Sequence, residues 1–370
     1  MYSDHQKVLI VLSYLELSTA RKCHEFLEWV DSPTDLWQNP QKYRDIVISF
    51  FGDKGADKLF FGLSDLFFDR VLSIINKRNA KMVTFADKNY PRLLREIADP
   101  PLVLYCKGDT DLLNAKCAAI VGSRKCSQSG KRVAEWFATE LKNDFCIVSG
   151  LANGIDTAAH KKTLELGGKT IAVLAGGFDN IYPSNNTSLA EEIAKNGLLV
   201  SEVKPSAEPL QYRFPMRNRV ISGLSDCVVL AEAGEKSGAF TTVDFAAEQG
   251  RDVFIVPSDV FNFSGRGSNR LLKDLRTQIA LSPDDVKDYY KIRYVVAPAK
   301  KPMVMQFNVT EQKIIDTLKD CGQLHFDVIV NKTGLAPSEV NYSLTNLLLS
   351  DIVFKFGTNI YQLNAEAIRQ

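Results

Sequence analysis

Between about residues 115 and 290 the chain alternates short, unbroken apolar runs with stretches of helical period. The runs fall at 117–121, 145–149, 170–174, 198–201, 226–231 and 252–256. The helical stretches fall at 129–143, 156–167, 187–196, 216–223 and 240–250. A strand buried on both faces reads as a continuous apolar run, and strands alternating with helices build a parallel sheet covered on both sides. The pattern predicts an α/β fold with a doubly wound parallel sheet. Small residues close several of the strands, at Gly122-Ser123, Ser149-Gly150, Gly176-Gly177 and around Gly234 and Gly238. Ligands on such sheets sit beyond the carboxyl ends of the strands.

The flanks carry other patterns. Val8, Leu9, Val11, Leu12, Tyr14 and Leu15 share one apolar face, and Ser18-Thr19-Ala20-Arg21 caps a second helix running to Trp29. Residues 50–55 read as a turn before an aromatic-rich helix. Residues 90–94 and 99–108 read as an extended entry segment, because their prolines exclude helix. Residues 291–305 read as a linker. Beyond it, Thr310 caps a helix through Leu318, a short helix covers 326–331, and Thr333-Gly334-Leu335 turns into a third helix at 337–349. A hairpin at 352–356 and 360–363 follows. Three helices and a hairpin are the winged-helix arrangement. The expected domains are a small helical one at 1–82, the α/β domain at 83–290, the linker, and a winged helix at 306–370.

Composition narrows the class. The chain has 370 residues, 45% hydrophobic and 24% charged, which is an ordinary globular profile of two or three domains. No run approaches the roughly 18 apolar residues of a membrane span. The polar start, Met1 to Lys7, leads into a short apolar patch broken at Glu16, so a first core helix is expected rather than a signal peptide. Seven scattered cysteines with no C-x-x-C argue against a disulfide framework or zinc site and fit a reducing cytoplasm. The four histidines do not cluster with them, so no metal is expected. Net charge is only +1, so binding to nucleic acid has to come from a local patch.

Four turns are candidates for that patch. At Gly122-Ser123-Arg124 a strand hands over to a helix start, whose amides favour an anion, and Arg124 adds a fixed cationic fork. Ser123 and Ser127 add hydroxyl donors. The turn is not a G-x-G-x-x-G fingerprint, and Gly150-Leu151-Ala152 stands where an acidic residue would bind a ribose, so no dinucleotide cofactor is expected. In the second turn, Gly154 precedes Asp156, a natural N-cap, with His160 one turn on as a structural histidine. The third holds Arg213, Phe214, Arg217, Asn218 and Arg219. Either Phe214 is core with snorkelling arginines, or its ring stacks a base while the arginines meet phosphates. The fourth presents Ser237 and Gly238 before a helix entered through Thr241 or Thr242; a structural cap by Thr241 is the plainer reading. Together, at one edge of one sheet, they imply a phosphate-lined groove.

In chain order the motifs Tyr90-Pro91, Asp99-Pro100-Pro101, Ile120 to Arg124, Val148 to Asp156 with Ala159-His160, Gly176-Gly177 with Tyr182-Pro183, Ser201-Glu202, Phe214 to Arg219, and Ser237-Gly238 with Thr241 form a set. The set resembles the DprA family, bacterial DNA-processing proteins of natural transformation. The match covers about 85–280. The resemblance implies an extended Rossmann domain that binds and protects single-stranded DNA, forms a homodimer and helps load the RecA recombinase, with no catalysis. It implies a basic pocket at Arg124, Phe214, Arg217 and Asn218. The expected mechanism is binding alone. Strand-end amides with Arg124 and Arg217 take successive phosphates, Phe214 stacks a base, and Asn218 holds the loop or a base edge.

This sequence also departs from the family pattern. Residues 256–259 lack the usual glycine after proline, residues 272–275 replace a glycine-alanine, and Gln211 stands where some relatives carry lysine, with Arg213 nearby. An enzymatic alternative is a nucleotide hydrolase of the lysine-decarboxylase-like group. Its P-G-G-x-G-T-x-x-E loop is poorly matched: residues 233–238 lack the paired glycines, and Glu248 is too far along to be the acid. In the winged helix, the third helix carries Ser338, Glu339, Asn341, Ser343 and Thr345 and no basic residue before the wing, which favours protein contact or packing over duplex reading.

Overall fold

Period-two alternation inside the apolar runs gives the central sheet two buried faces. The structure, a computed structural model, describes residues 2–273, 277–291, 307–350 and 352–364. The chain divides into two compact units, 1–293 and 294–370. The first is built on a nine-stranded sheet. Its strands are β1 (Lys81–Thr84), β2 (Val103–Gly108), β3 (Cys117–Gly122), β4 (Cys146–Ser149), β5 (Thr170–Leu174), β6 (Leu198–Ser201), β7 (Cys227–Glu232), β8 (Asp252–Ile255) and β9 (Gln278–Ile279). Their spatial order is β1-β2-β6-β5-β4-β3-β7-β8-β9. From β6 to β9 all pairs are parallel, while β1–β2 and β2–β6 are antiparallel.

Ala119 and Val121 of β3 face one core with Val148, Val228 and Leu230; Ala118 and Ile120 face the other with Ile147 and Val229. Helices α10 (Arg213–Gly223) and α11 (Ala239–Glu248) cover the first face; α7 (Gln128–Leu141), α8 (Ile155–Glu165) and α9 (Thr187–Asn196) cover the second. Both faces are dry, which is why the strands carry few polar residues.

Helices α1 (Asp4–Leu15), α2 (Ala20–Leu27), α3 (Pro33–Gln38), α4 (Arg44–Gly62) and α5 (Asp65–Asn76) precede the sheet. They do not close a core alone. Val8 to Leu12, Phe26, Leu36 and Leu59 share one cluster with Met82 of β1 and with Val103 and Tyr105 of β2. The region read as an extended entry segment therefore supplies β2, and with β1 it is an antiparallel extension of the sheet. Within it the short helix α6 (Arg92–Arg95) forms despite the proline, because Pro91 is its N-cap and breaks no helical hydrogen bond there. Pro215 is tolerated for a related reason: α10 starts at Arg213, earlier than its periodicity indicates, and the proline lies in the first turn, where amides have no helical acceptor. The turn expected at 50–55 is instead a kink inside α4 at Gly52.

In the second unit α14 (Val309–Cys321) is capped by Asn308, not Thr310. The Asn308 side chain accepts from Glu311 N–H at 2.8 Å, and Glu311 reciprocates at 3.1 Å. Here α12 (Arg266–Leu271) and α13 (Pro283–Tyr289) of the first unit are numbered before it. Helices α15 (Phe326–Thr333) and α16 (Pro337–Leu349) follow, with a three-stranded sheet ordered β10 (Leu324–His325), β12 (Ile360–Leu363), β11 (Val353–Phe356). Ile314, Leu318, Ile329, Leu344 and Tyr361 fill its core. Apart from Lys291, the expected linker lies outside the described residues.

Gly52 has φ 68° and ψ 173°, a conformation open essentially to glycine alone, and a Cβ there would meet no atom within 4 Å. Gly52→Ala therefore isolates backbone cost. Denaturant unfolding should show a loss of about 1–3 kcal/mol; unchanged stability would mean the kink is not imposed.

Candidate nucleic-acid interface

The chain runs outward from β3 in two directions, through β4–β6 on one side and β7–β9 on the other. The crevice of a doubly wound sheet opens at such a reversal, beyond the ends of β3 and β7. A cleft of about 890 Å³ lies there. The turn after β3, the loop after β7 and the first turns of α10 and α11 line it. It brings together Gly122, Ser123, Arg124, Phe214, Arg217, Asn218, Ser237 and Gly238. Ser127, Gly154 and Arg213, also expected at the site, do not line it.

Arg124 is exposed, and its guanidinium carbon sits 5.1 Å from the centre of the Phe214 ring. Among the ion pairs between described residues it takes part in none. Its charge is available to a ligand while the ring holds its place. Tyr182 packs edge-on to Phe214 at 5.4 Å, making a second aromatic wall. Lys125 and Lys236 add exposed cations to the lining.

Two of the expected amide cradles are filled from within. Buried Glu232, at the end of β7, accepts the Ser127 N–H at 2.7 Å, the Ser127 hydroxyl, and the Asn262 side-chain N–H at 3.0 Å. Ser127 caps α7 by accepting from Gly130 N–H at 3.0 Å. The start of α7 thus already holds a carboxylate. The backbone carbonyl of Glu232 takes the Ser123 N–H at 2.8 Å. Asp156 is not an N-cap, because α8 begins at Ile155 behind Gly154. Its buried carboxylate turns back and accepts from Gly150 N–H at 3.1 Å and Ala152 N–H at 3.3 Å. Gly122 serves packing as well: a Cβ there would lie 2.5 Å from Ile155 Cγ1 and 2.6 Å from the Glu232 carbonyl. Thr241 is not a cap either. It lies in the first turn of α11, whose N-cap is Gly238 with no side-chain cap, and Ser237 Oγ accepts from Ala239 N–H at 3.3 Å. A Cβ on Gly238 would meet nothing within 4 Å, so this helix start faces open space.

The arginines of α10 divide by direction. Arg217 is buried, and its Nη1 donates to the carbonyls of Gly150, at 2.5 Å, and Val173. That nitrogen locks the ends of β4 and β5, so although Arg217 lines the cleft, its Nη1 is committed to backbone carbonyls rather than to a ligand. Burial lowers its pKa to about 10, with the Asp156 carboxylate opposing the fall and Arg124 adding to it. Arg213 faces α1, pairing with Glu16 at 2.8 Å. Arg219 is buried between Glu202 and Asp99. Asn218 bridges, accepting from Arg217 Nε at 3.3 Å and donating to the Gly238 carbonyl at 3.4 Å. His160 is structural: fully buried, with Nδ1 2.7 Å from Thr170 Oγ1. Burial, aided by the charge of Arg217, pushes its pKa down to about 3.

Sequence reasoning passed over Lys125, Lys236 and Tyr182 as lining residues. Lys125 adjoins Arg124, Lys236 precedes Ser237, and Tyr182 sits in a motif already singled out, so adjacency was the available signal. Glu248 closes α11 at the end away from the cleft, so it offers no acid there.

The family model described as DNA recombination-mediator protein A matches residues 81–291, more than half of the chain. The chain belongs to that family. The DNA processing protein DprA of Streptococcus pneumoniae is 43% identical over 202 residues, covering 54% of this chain and 72% of that protein. The DprA of Bacillus subtilis is 42% identical over 206 residues, covering 55% and 69%. The solved Streptococcus pneumoniae DprA structure is similar at TM-score 0.65 and 33% identity, over 76% of this chain and 97% of that one. A DprA structure from Helicobacter pylori, solved for that protein's single-stranded DNA binding mode, is similar at TM-score 0.52 and 33% identity, over 57% and 95%. The sheet and its motifs are thus those of a recombination-mediator family. Among the described residues no helix is long and apolar enough to cross a membrane.

Two outcomes follow from the buried groups. Arg217→Met strips Gly150 and Val173 of their donor and leaves Asp156 buried without a cation, so unfolding should become easier by about 3–5 kcal/mol; a loss under about 1 kcal/mol would contradict this role. His160 has a folded pKa below its unfolded value near 6.5. The unfolded chain then binds more protons as pH falls from about 6.5 toward 3, so this group's contribution is full above that window and lost on descending it. Between pH 6 and 4 the wild type should lose up to about 1.4 kcal/mol per pH unit relative to His160→Asn. Parallel stability curves would refute it.

Proposed function

We propose that the cleft binds single-stranded DNA with little regard to sequence, and that the protein protects incoming strands in the cytoplasm and helps load RecA onto them during natural transformation, without chemistry of its own. The observation that carries this is Arg124 held over the Phe214 ring at the cleft mouth, free of any carboxylate among the described ion pairs. An unpaired guanidinium takes a phosphate, and an aromatic ring takes a base face, which a single strand presents and a duplex hides. Lys236, Gly238 at the start of α11, and Asn218 extend the same surface. The family's recombination-mediator description and the single-stranded DNA binding of the Helicobacter pylori relative point the same way.

The finer organisation belongs to this reading. Helices α1–α5, with β1 and β2 completing their core, act as a small sterile-alpha-motif-like domain, and residues 306–370 as a winged helix suited to protein contact. A homodimer forms through the Rossmann domain. Supporting that, β9 is a sheet edge carrying exposed Ile279, and Phe261 and Phe263 are exposed beyond β8.

Anisotropy titrations with labelled oligonucleotides test the cleft. Single strands should bind more tightly than duplexes of equal length. Arg124→Ala should weaken binding to oligo-dT and oligo-dC alike, about tenfold or more, and flatten the log K against log salt slope by about 0.7. Unchanged affinity in Arg124→Ala, or equal affinity for duplex, would defeat the proposal.

A further inference from the structure

A second cavity, of about 380 Å³, lies on the other side of the Arg124-Lys125 turn. It is walled by the starts of α7 and α8, and Lys131, Lys161, Asn153 and Asn185 line it along with those two residues. No carboxylate lines it. In a chain whose net charge is +1, four cations around one small basin without a counter-charge are a local excess. All four are exposed, and none joins an ion pair between described residues. Holding them together costs mutual repulsion that an anion relieves. The two cavities are also joined mechanically. Gly154, at φ +82°, brings its loop so near the turn that a Cβ would lie 2.3 Å from the Ser123 carbonyl and 2.7 Å from that of Arg124. The Arg124-Lys125 turn is therefore a shared wall, with the aromatic cleft on one side and an all-cationic basin on the other.

We propose that the basin is a second phosphate subsite, taking the backbone of the same strand after it crosses the turn. It has no aromatic lining, so it grips phosphates without stacking bases. This rests on the cleft binding single-stranded DNA, and it adds that a strand too short to cross the turn gains nothing from Lys131 or Lys161.

The test uses the full chain and two fluorescent oligothymidylates, of about 6 and about 30 nucleotides. The pair Lys131→Ala and Lys161→Ala should weaken the long strand about tenfold at low salt, flatten its salt slope by about 1.4, and leave the short strand within twofold. A matched control, Lys54→Ala with Lys58→Ala, removes two exposed lysines of α4 and should change neither. Cys126 gives a second readout, because it lines the basin and, with exposed Cys321, is one of the two cysteines not buried. In a Cys321→Ser background, the long strand should slow maleimide labelling of Cys126 and the short strand should not. The subsite is overturned if the long strand binds the double variant as it binds wild type, if long and short fall alike, or if the control matches the loss. If Arg124→Ala binds both strands normally while the lysine pair still matters, the cleft reading fails and the basin is a phosphate site in its own right, not a second subsite. If wild type binds neither strand, both fail.

Discussion

The site depends on one buried guanidinium. Arg217 reaches from α10 under the ends of β4 and β5 and satisfies the carbonyls of Gly150 and Val173, with Asp156 as the nearby compensating charge. Asp156 in turn holds the Gly150 and Ala152 amides. A chain of charge-assisted bonds thus runs from the helix through the strand ends to the loop before α8. Gly150 is required beneath it, since a Cβ would lie 2.7 Å from the guanidinium carbon. Asn218 carries the same chain to Gly238. Phe214, one turn earlier on α10, is consequently fixed where Arg124 covers it.

The internal carboxylates change how a phosphate can be held. In a dinucleotide fold the helix after the first strand offers bare amides to a pyrophosphate. Here Glu232 occupies that place on α7, and Asp156 occupies the loop after β4. The anion affinity of those positions is spent inside the protein. The unpaired charge in this region is carried instead by exposed side chains of the turn above, Arg124 and Lys125.

The alternation of apolar runs and helical periods places β3 to β8 and α7 to α11 to within about two residues, except at the start of α10, because a sheet buried on both faces leaves an unambiguous pattern. The edges were harder to read. Residues 99–108 read as extended from their prolines and the apolar run Val103 to Cys106, but their antiparallel pairing with 81–84 and with β6 is set by distant partners and is not legible locally. In the site, residue type indicated the surface but not direction. Arg124, Arg213, Arg217 and Arg219 look alike in sequence; Glu16, Asp156, Glu202 and Asp99 decide which of them turn inward, and those contacts are long-range. Asp156 and Thr241 fit the composition of caps, but each helix starts earlier than its first polar residue suggests.

The antiparallel pair β1–β2 has a bearing on modularity. Tyr105 is fully buried among the N-terminal helices, and its hydroxyl meets Ser13 Oγ at 3.2 Å, while neighbouring Leu104 and Cys106 belong to the core of the sheet. The ribbon is a seam stitched into both bodies. A cut between α5 and β1 would strip the helices of their floor, and a cut after Gly108 would strip the sheet of Leu104 and Cys106, so the helices and the sheet cannot be exchanged separately between relatives.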